Sequence, residues 1–429
     1  MVGLLDSFVG RARGTVTDFL VRRTGGVDLT RVDKVPERLS WPLVRHGFDP
    51  VPRLDALRER EPLAKLTSFL GITVWVVTGD AECREVLAHT TAYSNDIRPY
   101  VGKAGDATSG DIGGLGFTDP PEHSRLRRLL TPEFTMRRLE RLRPRIADLV
   151  EAQLAATRAG VGEDGVVDLA EHFAFPVPFL VICELLGLPD EERARVRELT
   201  TARFDVTSGG TGVFGAVAGS REYLLDFTRR QRQDPGDGLI GQIIREHGDE
   251  ISDFDLAGLA DGAFTGGLET SASMLALGTA LLLEHPEWFS RLADEPGIVE
   301  PVVEELLRYL SVVQIAFPRF AKQDIEVAGK RIKKGDVVIA HLTGASRDTR
   351  AGHDGSFDPT RDHPGRHLAF GHGFHRCVGA ELARLELRIA FPALARTFPD
   401  LRLATDVGEL PFRERSIVYG VDALPVRLS

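Results

Sequence analysis

Residues 370–379 read FGHGFHRCVG and hold Cys377, one of three cysteines in the chain. Gly371 and Gly373 permit a tight turn and a close backbone approach to something flat, because glycine alone takes left-handed angles cheaply. A helical run, ELARLELRIAF, follows Gly379, so Cys377 lies at a loop-to-helix junction. Unpaired N–H groups at a helix start stabilise negative charge and favour thiolate over thiol. Such a sulfur serves as a nucleophile, a zinc ligand or a haem ligand. His375 stands two residues away, a poor spacing for a Cys–His catalytic pair. Structural zinc asks for about four nitrogen or sulfur ligands, and Cys83 and Cys183 stand alone in segments that read as helices. A buried, inert cysteine is the ordinary alternative.

Three more constellations carry candidate chemistry. His123 and Arg127 are four apart and share one helix face; on their own they read as a solvated face. Gly266, Gly267, Leu268, Glu269 and Thr270 fall in the middle of the longest helical pattern, 254–283. A mid-helix glycine costs about 1 kcal/mol against alanine, so this pair either allows tight helix packing or lets something pass close by. Glu269 and Thr270 place an acid beside an alcohol. Glu305 and Arg308 are spaced to pair on a helix, although an exposed pair is worth little.

The elements that must hold these groups are mostly helical. An amphipathic helical pattern occupies the first residues to about Arg23, and residues 1–40 read as an extension laid on the protein body. A short helix, 55–61, precedes two β-rich runs, 64–69 and 73–77, which flank Gly71 as a hairpin. Asp80 reads as the cap of the next helix. Residues 90–118 form a long polar, glycine-rich loop, of a length that is often functional. Asp119, Pro120 and Pro121 start the helix that bears His123. Residues 137–225 read as mostly helical, broken at Pro176, Pro178 and Gly187-Leu188-Pro189, with a flexible turn at 207–215. β-branched runs with turns at Gly329 and Gly335 follow Ser311.

Composition narrows the class. With 53 Lys plus Arg against 63 Asp plus Glu, the net charge of −10 disfavours nucleic acid as a partner. A hydrophobic share of 42% and a charged share of 27% are those of a soluble globular protein. Scattered cysteines suit a reducing cytoplasm rather than a disulfide framework. No apolar run reads as long enough to span a bilayer, and no secretory leader follows Met1.

FGHGFHRCVG resembles the haem-binding loop of the cytochrome P-450 family, FGxGxHxCxG, at every specified position. Three further motifs resemble the family's in order: DPPEHSRLRR its HxxxR element, GGLET its [AG]Gx[DE]T element, and Glu305 to Arg308 its ExxR. The segment with Ser346 and Thr349 departs from the family's usual NRDP and proline-rich stretch, which bears on a local turn and not on the cysteine loop.

The resemblance covers roughly residues 40–429. It implies a mainly α fold with a smaller β-sheet region (α+β), one haem domain at 41–429, of the soluble bacterial type. It implies haem b (iron protoporphyrin IX), with Cys377 as iron ligand and His123, Arg127, Gly266, Arg319, Phe370, Gly371, His375 and Gly379 around the cofactor. His123, Arg127 and Arg319 would meet the propionates. Local distortion of the helix at the glycines would make room for O2, the co-substrate. Thr270 and Glu269 would deliver protons. Glu305 and Arg308 would be a structural pair, with Arg361 as third partner. Thr265, Leu268, Ile315, Ala316, Ile417 and Val418 would line the substrate pocket, and residues 201–227 would be part of a lid.

The implied activity is O2- and electron-dependent hydroxylation or epoxidation of a small apolar molecule, in secondary metabolism. Oxidative coupling, desaturation and peroxide-driven oxidation are the alternatives within the fold, and a non-enzymatic haem sensor is the alternative outside it. A ferredoxin and ferredoxin reductase would supply electrons, docking where Arg125, Arg128 and Arg376 present positive charge. A substrate attached to a carrier protein is a further form that the resemblance allows.

Overall fold

The computed structural model describes residues 37–69, 71–96, 115–204, 210–353, 355–362 and 366–429. Most of the amino-terminal extension, and most of the loop read at 90–118, lie outside these residues.

β-branched and aromatic runs build a five-stranded sheet from β1 (Leu63–Phe69), β2 (Ile72–Val77), β3 (Tyr93–Ser94), β4 (Arg319–Ala321) and β5 (Val337–Ala340), ordered β1-β2-β5-β4-β3. Gly71, at φ +80°, turns β1 into β2. β2 and β5 pair in parallel, and this joins the amino-terminal hairpin to the segment that carries Arg319.

The helices that position the site are α1 (Asp80–Ala88), α2 (Glu122–Leu130), α3 (Pro176–Leu186), α4 (Gly210–Gln233), α5 (Asp253–Leu283), α6 (Pro296–Leu310) and α7 (Ala380–Thr397). α5 starts where the Ser252 hydroxyl accepts the Asp255 N–H at 3.1 Å. From Ser271 to Leu282 all of its residues are buried. Small residues set the distance to its neighbours. A Cβ on Gly267 would lie 2.6 Å from Ile182 of α3, and one on Gly278 would lie 2.6 Å from Phe391 of α7. By length and composition α5 could cross a membrane, contrary to the reading that no run is long enough. Its most apolar window is 72% buried inside the protein, so its hydrophobicity serves the core.

α6 carries the Glu305–Arg308 pair, which is wholly buried. Two bonds of 2.7 Å join the side chains. Arg308 also donates to the carbonyls of Ser346 (3.1 Å) and Ser356 (2.7 Å), and Glu305 accepts the Asp358 N–H at 2.9 Å. Arg361 stands 3.5 Å from Glu305. The Ser346 hydroxyl accepts the Leu368 N–H at 3.1 Å and so ties this meander to the approach to the cysteine loop.

Two local readings are corrected. Asp80 lies inside the first turn of α1; the side chain at that helix start is Asp348, which accepts the Asp80 N–H at 2.9 Å, while Asp80 itself binds Arg84. Of the turn read at 207–215, residues 210–215 are the first turns of α4. Glycine there disfavours a helix, but the strong helix formers that follow override it.

Candidate active site

The cysteine loop closes by short-range backbone bonds. The Gly371 N–H donates to Leu368 O (2.8 Å), Arg376 N–H to Gly373 O (3.1 Å) and Cys377 N–H to Phe370 O (2.9 Å). Gly371 and Gly373 both take φ +68°. A Cβ on Gly373 would fall 2.7 Å from Ala88 Cα and Leu87 O, so the loop rests directly on the end of α1. Gly379 is the N-cap of α7. The Arg384 guanidinium lies 4.7 Å over the Phe370 ring and is gripped by Glu304 at 2.5 and 3.0 Å. Burial opposes a charge on Glu304, yet the bonds from His367 and Arg384 bring its carboxyl down to about 2.

Cys377 is accessible at its surface. Surrounding protein nonetheless pushes its thiol up, against the Gly379 N–H and the charges of Arg127, Arg376 and Arg384. The Gly379 N–H at the helix start lowers the thiol, as the sequence leads one to expect, but desolvation outweighs it in the protein alone. A bound metal cation would reverse the balance, since a coordinated thiol gives up its proton.

Bases crowd one side of this loop. His123 is fully buried and neither ring nitrogen has a hydrogen-bond partner. The rings of Phe374 and His375 lie 4.2 Å from it. Burial and then Arg127 lower His123 to about 4. Burial, followed by His123, Arg319 and Arg127, lowers His375 to about 3. Arg319, 5% exposed, is lowered by burial to about 10. Among the described residues no carboxylate hydrogen-bonds any of these four groups. Asp119 acts on His123 and Arg319 only through space; burying a cation with no hydrogen-bonded counter-charge costs several kcal/mol, and an orphaned buried donor about 1–3 kcal/mol. The cluster fits a flat group bearing two carboxylates, as a porphyrin of this kind does, with its metal toward Cys377.

α5 carries the glycine–threonine face. The Ser271 hydroxyl donates to Glu386 of α7 at 3.0 Å, which fixes the turn holding Thr270 against the helix that begins beside Cys377. Gly266 and Thr270, four apart, share a face, and a Cβ on Gly266 would meet nothing within 4 Å. α5 is helical throughout, so the expected distortion is no break in the helix. It is a bond of 2.6 Å from the Thr270 hydroxyl to the Gly266 carbonyl, of a kind that bends helices slightly. Leu268 is wholly buried in the core, which corrects its assignment to the pocket. Two positions from Gly266, it points the other way round the helix.

Thr265 donates to Asp261 O at 2.8 Å. Ile315, Ala316 and Val418 are half-buried, and Ile417 is exposed. They come together because the Gln314 N–H binds Ile417 O and Val313 bridges Val418. Glu269 is half-buried; burial pushes its carboxyl up, and Arg413, 3.2 Å away, pulls it down.

Sequence reasoning missed several of these groups. Arg413 reaches Glu269 from far along the chain with no local signal. Glu386, pushed up to about 8 by burial, sits within the helical run and looks like any amphipathic glutamate. Phe317 is 50% exposed beside Phe117, with ring centroids 4.7 Å apart. On the outer side of the cysteine loop, a cleft of about 440 Å³ is lined by Arg84, Arg366, His372, Arg376 and Arg384. Arg125, expected to present free charge, is instead bound to Glu122 (2.7 Å) and Asp255 (2.6 Å).

A family model described as Cytochrome P450 matches residues 225–419. The cytochrome P450 monooxygenase PikC of Streptomyces venezuelae is 37% identical over 383 residues, 88% of this chain and 91% of that protein. OxyE, a cytochrome P450 involved in teicoplanin biosynthesis, is 38% identical, with a TM-score of 0.82 over 90% of this chain and 99% of that one. OxyC, a cytochrome P450 implicated in oxidative C–C coupling during vancomycin biosynthesis, is 36% identical with a TM-score of 0.80, covering 90% and 95%. The fold and the likenesses define a haem-thiolate oxidoreductase that uses O2. The chain belongs to the cytochrome P450 family.

Proposed function

We propose that this protein hydroxylates or epoxidises a small apolar molecule in secondary metabolism, in the cytoplasm, with haem b held by Cys377. The observation that carries the reading is the Glu269–Thr270 acid–alcohol pair beside the open face at Gly266, on the helix tied to α7 through Ser271 and Glu386. His123, Arg127, Arg319 and His375 would hold the two propionates, and Phe370, Gly371, Gly266 and Gly379 would lie against the ring. Haem held there would supply the O2 chemistry, in which O2, two electrons and two protons give one oxygen atom to the substrate and one to water. Everything else falls to the chain. Thr270 Oγ1 holds a proton at the Gly266 face; Glu269 resupplies it from the side of Arg413. Ile315, Ala316, Ile417, Val418 and Phe317 offer apolar surface that excludes water and orients the substrate.

The test begins with a screen of apolar compounds for those that shift the iron from low to high spin. With such a compound and a surrogate ferredoxin pair, Thr270→Ala retains haem and binding but loses product by about a hundredfold or more, its electrons appearing as peroxide. Normal coupling in that variant removes Thr270 from the relay. Oxidative coupling is a second reading, supported by the likeness to OxyC. Product mass separates the two: gain of an oxygen atom, or loss of hydrogens alone.

For the electron donor we propose a ferredoxin, reduced by its reductase, whose acidic face meets the basic cleft beside the cysteine loop. Reversing Arg366 and Arg376 to Glu is expected to slow reduction about tenfold and flatten its salt dependence. Arg125→Gln, at a residue whose charge is already offset by two carboxylates, should change both much less. Stopped-flow reduction over a range of ionic strength decides this.

A further inference from the structure

We propose that Arg413 is a positioning residue for the relay carboxylate: its guanidinium, shared between Glu269 and Asp422, sets the orientation and charge with which Glu269 serves Thr270. This rests on the reading of Glu269 and Thr270 as a proton relay and adds a residue that neither the sequence motifs nor the likenesses supply.

The geometry is specific. Arg413 Nη1 donates to Glu269 Oε1 at 3.2 Å, and Arg413 Nε donates to Asp422 Oδ1 at 2.8 Å. The backbone fixes the arginine across from its second partner. Phe412 bridges Val421, the Arg413 N–H binds Gly420 O at 2.9 Å, and the Asp422 N–H binds Pro411 O at 3.0 Å. Gly420 makes room for this. A Cβ there would lie 2.7 Å from Ser273 Oγ of α5 and 3.3 Å from Arg413 Nη1, so glycine at this position lets the carboxy-terminal segment sit close to α5 with the guanidinium alongside.

The two carboxylates are unequal. The Asp422 side chain is 70% exposed and that of Glu269 is 25% exposed. Solvent screens the first pair, while the same charge acts more strongly on the less hydrated partner. Arg413 is therefore anchored by the nearer, wet carboxylate and exerts its electrostatic effect on the farther, drier one. Among the described residues Arg413 is the charged side chain within ion-pair distance of Glu269. Asp422 reaches Glu269 only through Arg413, and Glu386 faces Ser271 on the adjoining turn from α7. The chain that holds Arg413 continues to Ile417 and Val418, which are tied to Gln314 and Val313. A ligand that presses on that tip therefore bears on the guanidinium.

The experiment uses the holoenzyme with 13C-carboxyl glutamate, in the reduced carbon monoxide form, which is diamagnetic. The Glu269 signal is identified by its loss in Glu269→Gln and is titrated with pH. Removing the cation removes what favours the carboxylate, so in Arg413→Gln the midpoint rises by about one pH unit. Arg413→Lys keeps the charge and restores most of the shift. In Asp422→Asn the undivided guanidinium lowers the midpoint. Peroxide formed per electron rises in Arg413→Gln, and its pH profile moves with the midpoint.

An unmoved midpoint in Arg413→Gln, with Glu269→Gln still uncoupling turnover, overturns the positioning role and leaves the relay standing. Normal coupling in Glu269→Gln removes the relay itself, whatever Arg413 does. If Arg413→Gln does not fold, Arg413→Lys, expected near the wild-type midpoint, and Asp422→Asn, expected below it, carry the test, and a midpoint unchanged in Asp422→Asn overturns the sharing.

Discussion

Cys377→Ser is expected to abolish the thiolate spectrum of the reduced carbon monoxide complex and all turnover, while leaving a protein that still takes up haem. The first part follows from acidity. The Cys377 thiol, although accessible, is already pushed up by the surrounding protein, with Gly379 N–H and three arginines opposing. A serine hydroxyl is far less acidic than a thiol, so the same local charges leave it neutral and a poor donor of electron density to iron. The second part follows from the basic cluster. His123, Arg127, Arg319 and His375 are untouched by the substitution, and their need for anionic partners remains. The variant should therefore be coloured and folded, with an altered absorption maximum and no product. An unaltered carbon monoxide spectrum would move the ligand away from position 377, and a colourless protein would mean that the basic cluster does not hold the cofactor without the sulfur.

What the sequence made legible here was local. The glycines of the cysteine loop could be read because φ +68° at Gly371 and Gly373 is a backbone requirement visible as residue type. The α5 boundaries could be read, 254–283 against the observed Asp253–Leu283, because a long helical pattern shows in residue type. Pairing across the fold was less accessible. Glu305 and Arg308 looked like any surface pair until the meander closed over them, and Asp348 rather than Asp80 caps α1 because two segments remote in sequence meet there. The adjacent Gly266 and Gly267 of α5 carry the same local helix cost, and only the resemblance singled out Gly266. The packed structure separates Gly267, against Ile182, from Gly266, which faces open space. Charge location was the least legible. Arg125 and Arg376 are both arginines in basic sequence, yet one is neutralised by carboxylates from two helices and the other lines a cleft.

The Glu305–Arg308 pair gives the other large expected effect, this one on stability. Arg308→Leu should cost about 3–5 kcal/mol. It leaves the Glu305 carboxylate in a dry interior with the Asp358 N–H and the more distant Arg361 as partners, and it takes a donor from the carbonyls of Ser346 and Ser356, the second of which keeps Arg361 at 3.2 Å. Against a typical total of about 5–15 kcal/mol, this loss shows as a lower urea midpoint and a poor yield of haem-bound protein. Glu305→Leu should be comparably severe, since it strands an arginine that is wholly buried. The double variant decides whether burial of a lone charge is the cause. With both charges gone, only neutral groups stay unpaired, so the double loss should fall short of the summed single losses by about 2 kcal/mol or more. Simple additivity would mean that the two side chains stabilise the fold through separate contacts with the meander, and that the bonds between them contribute little.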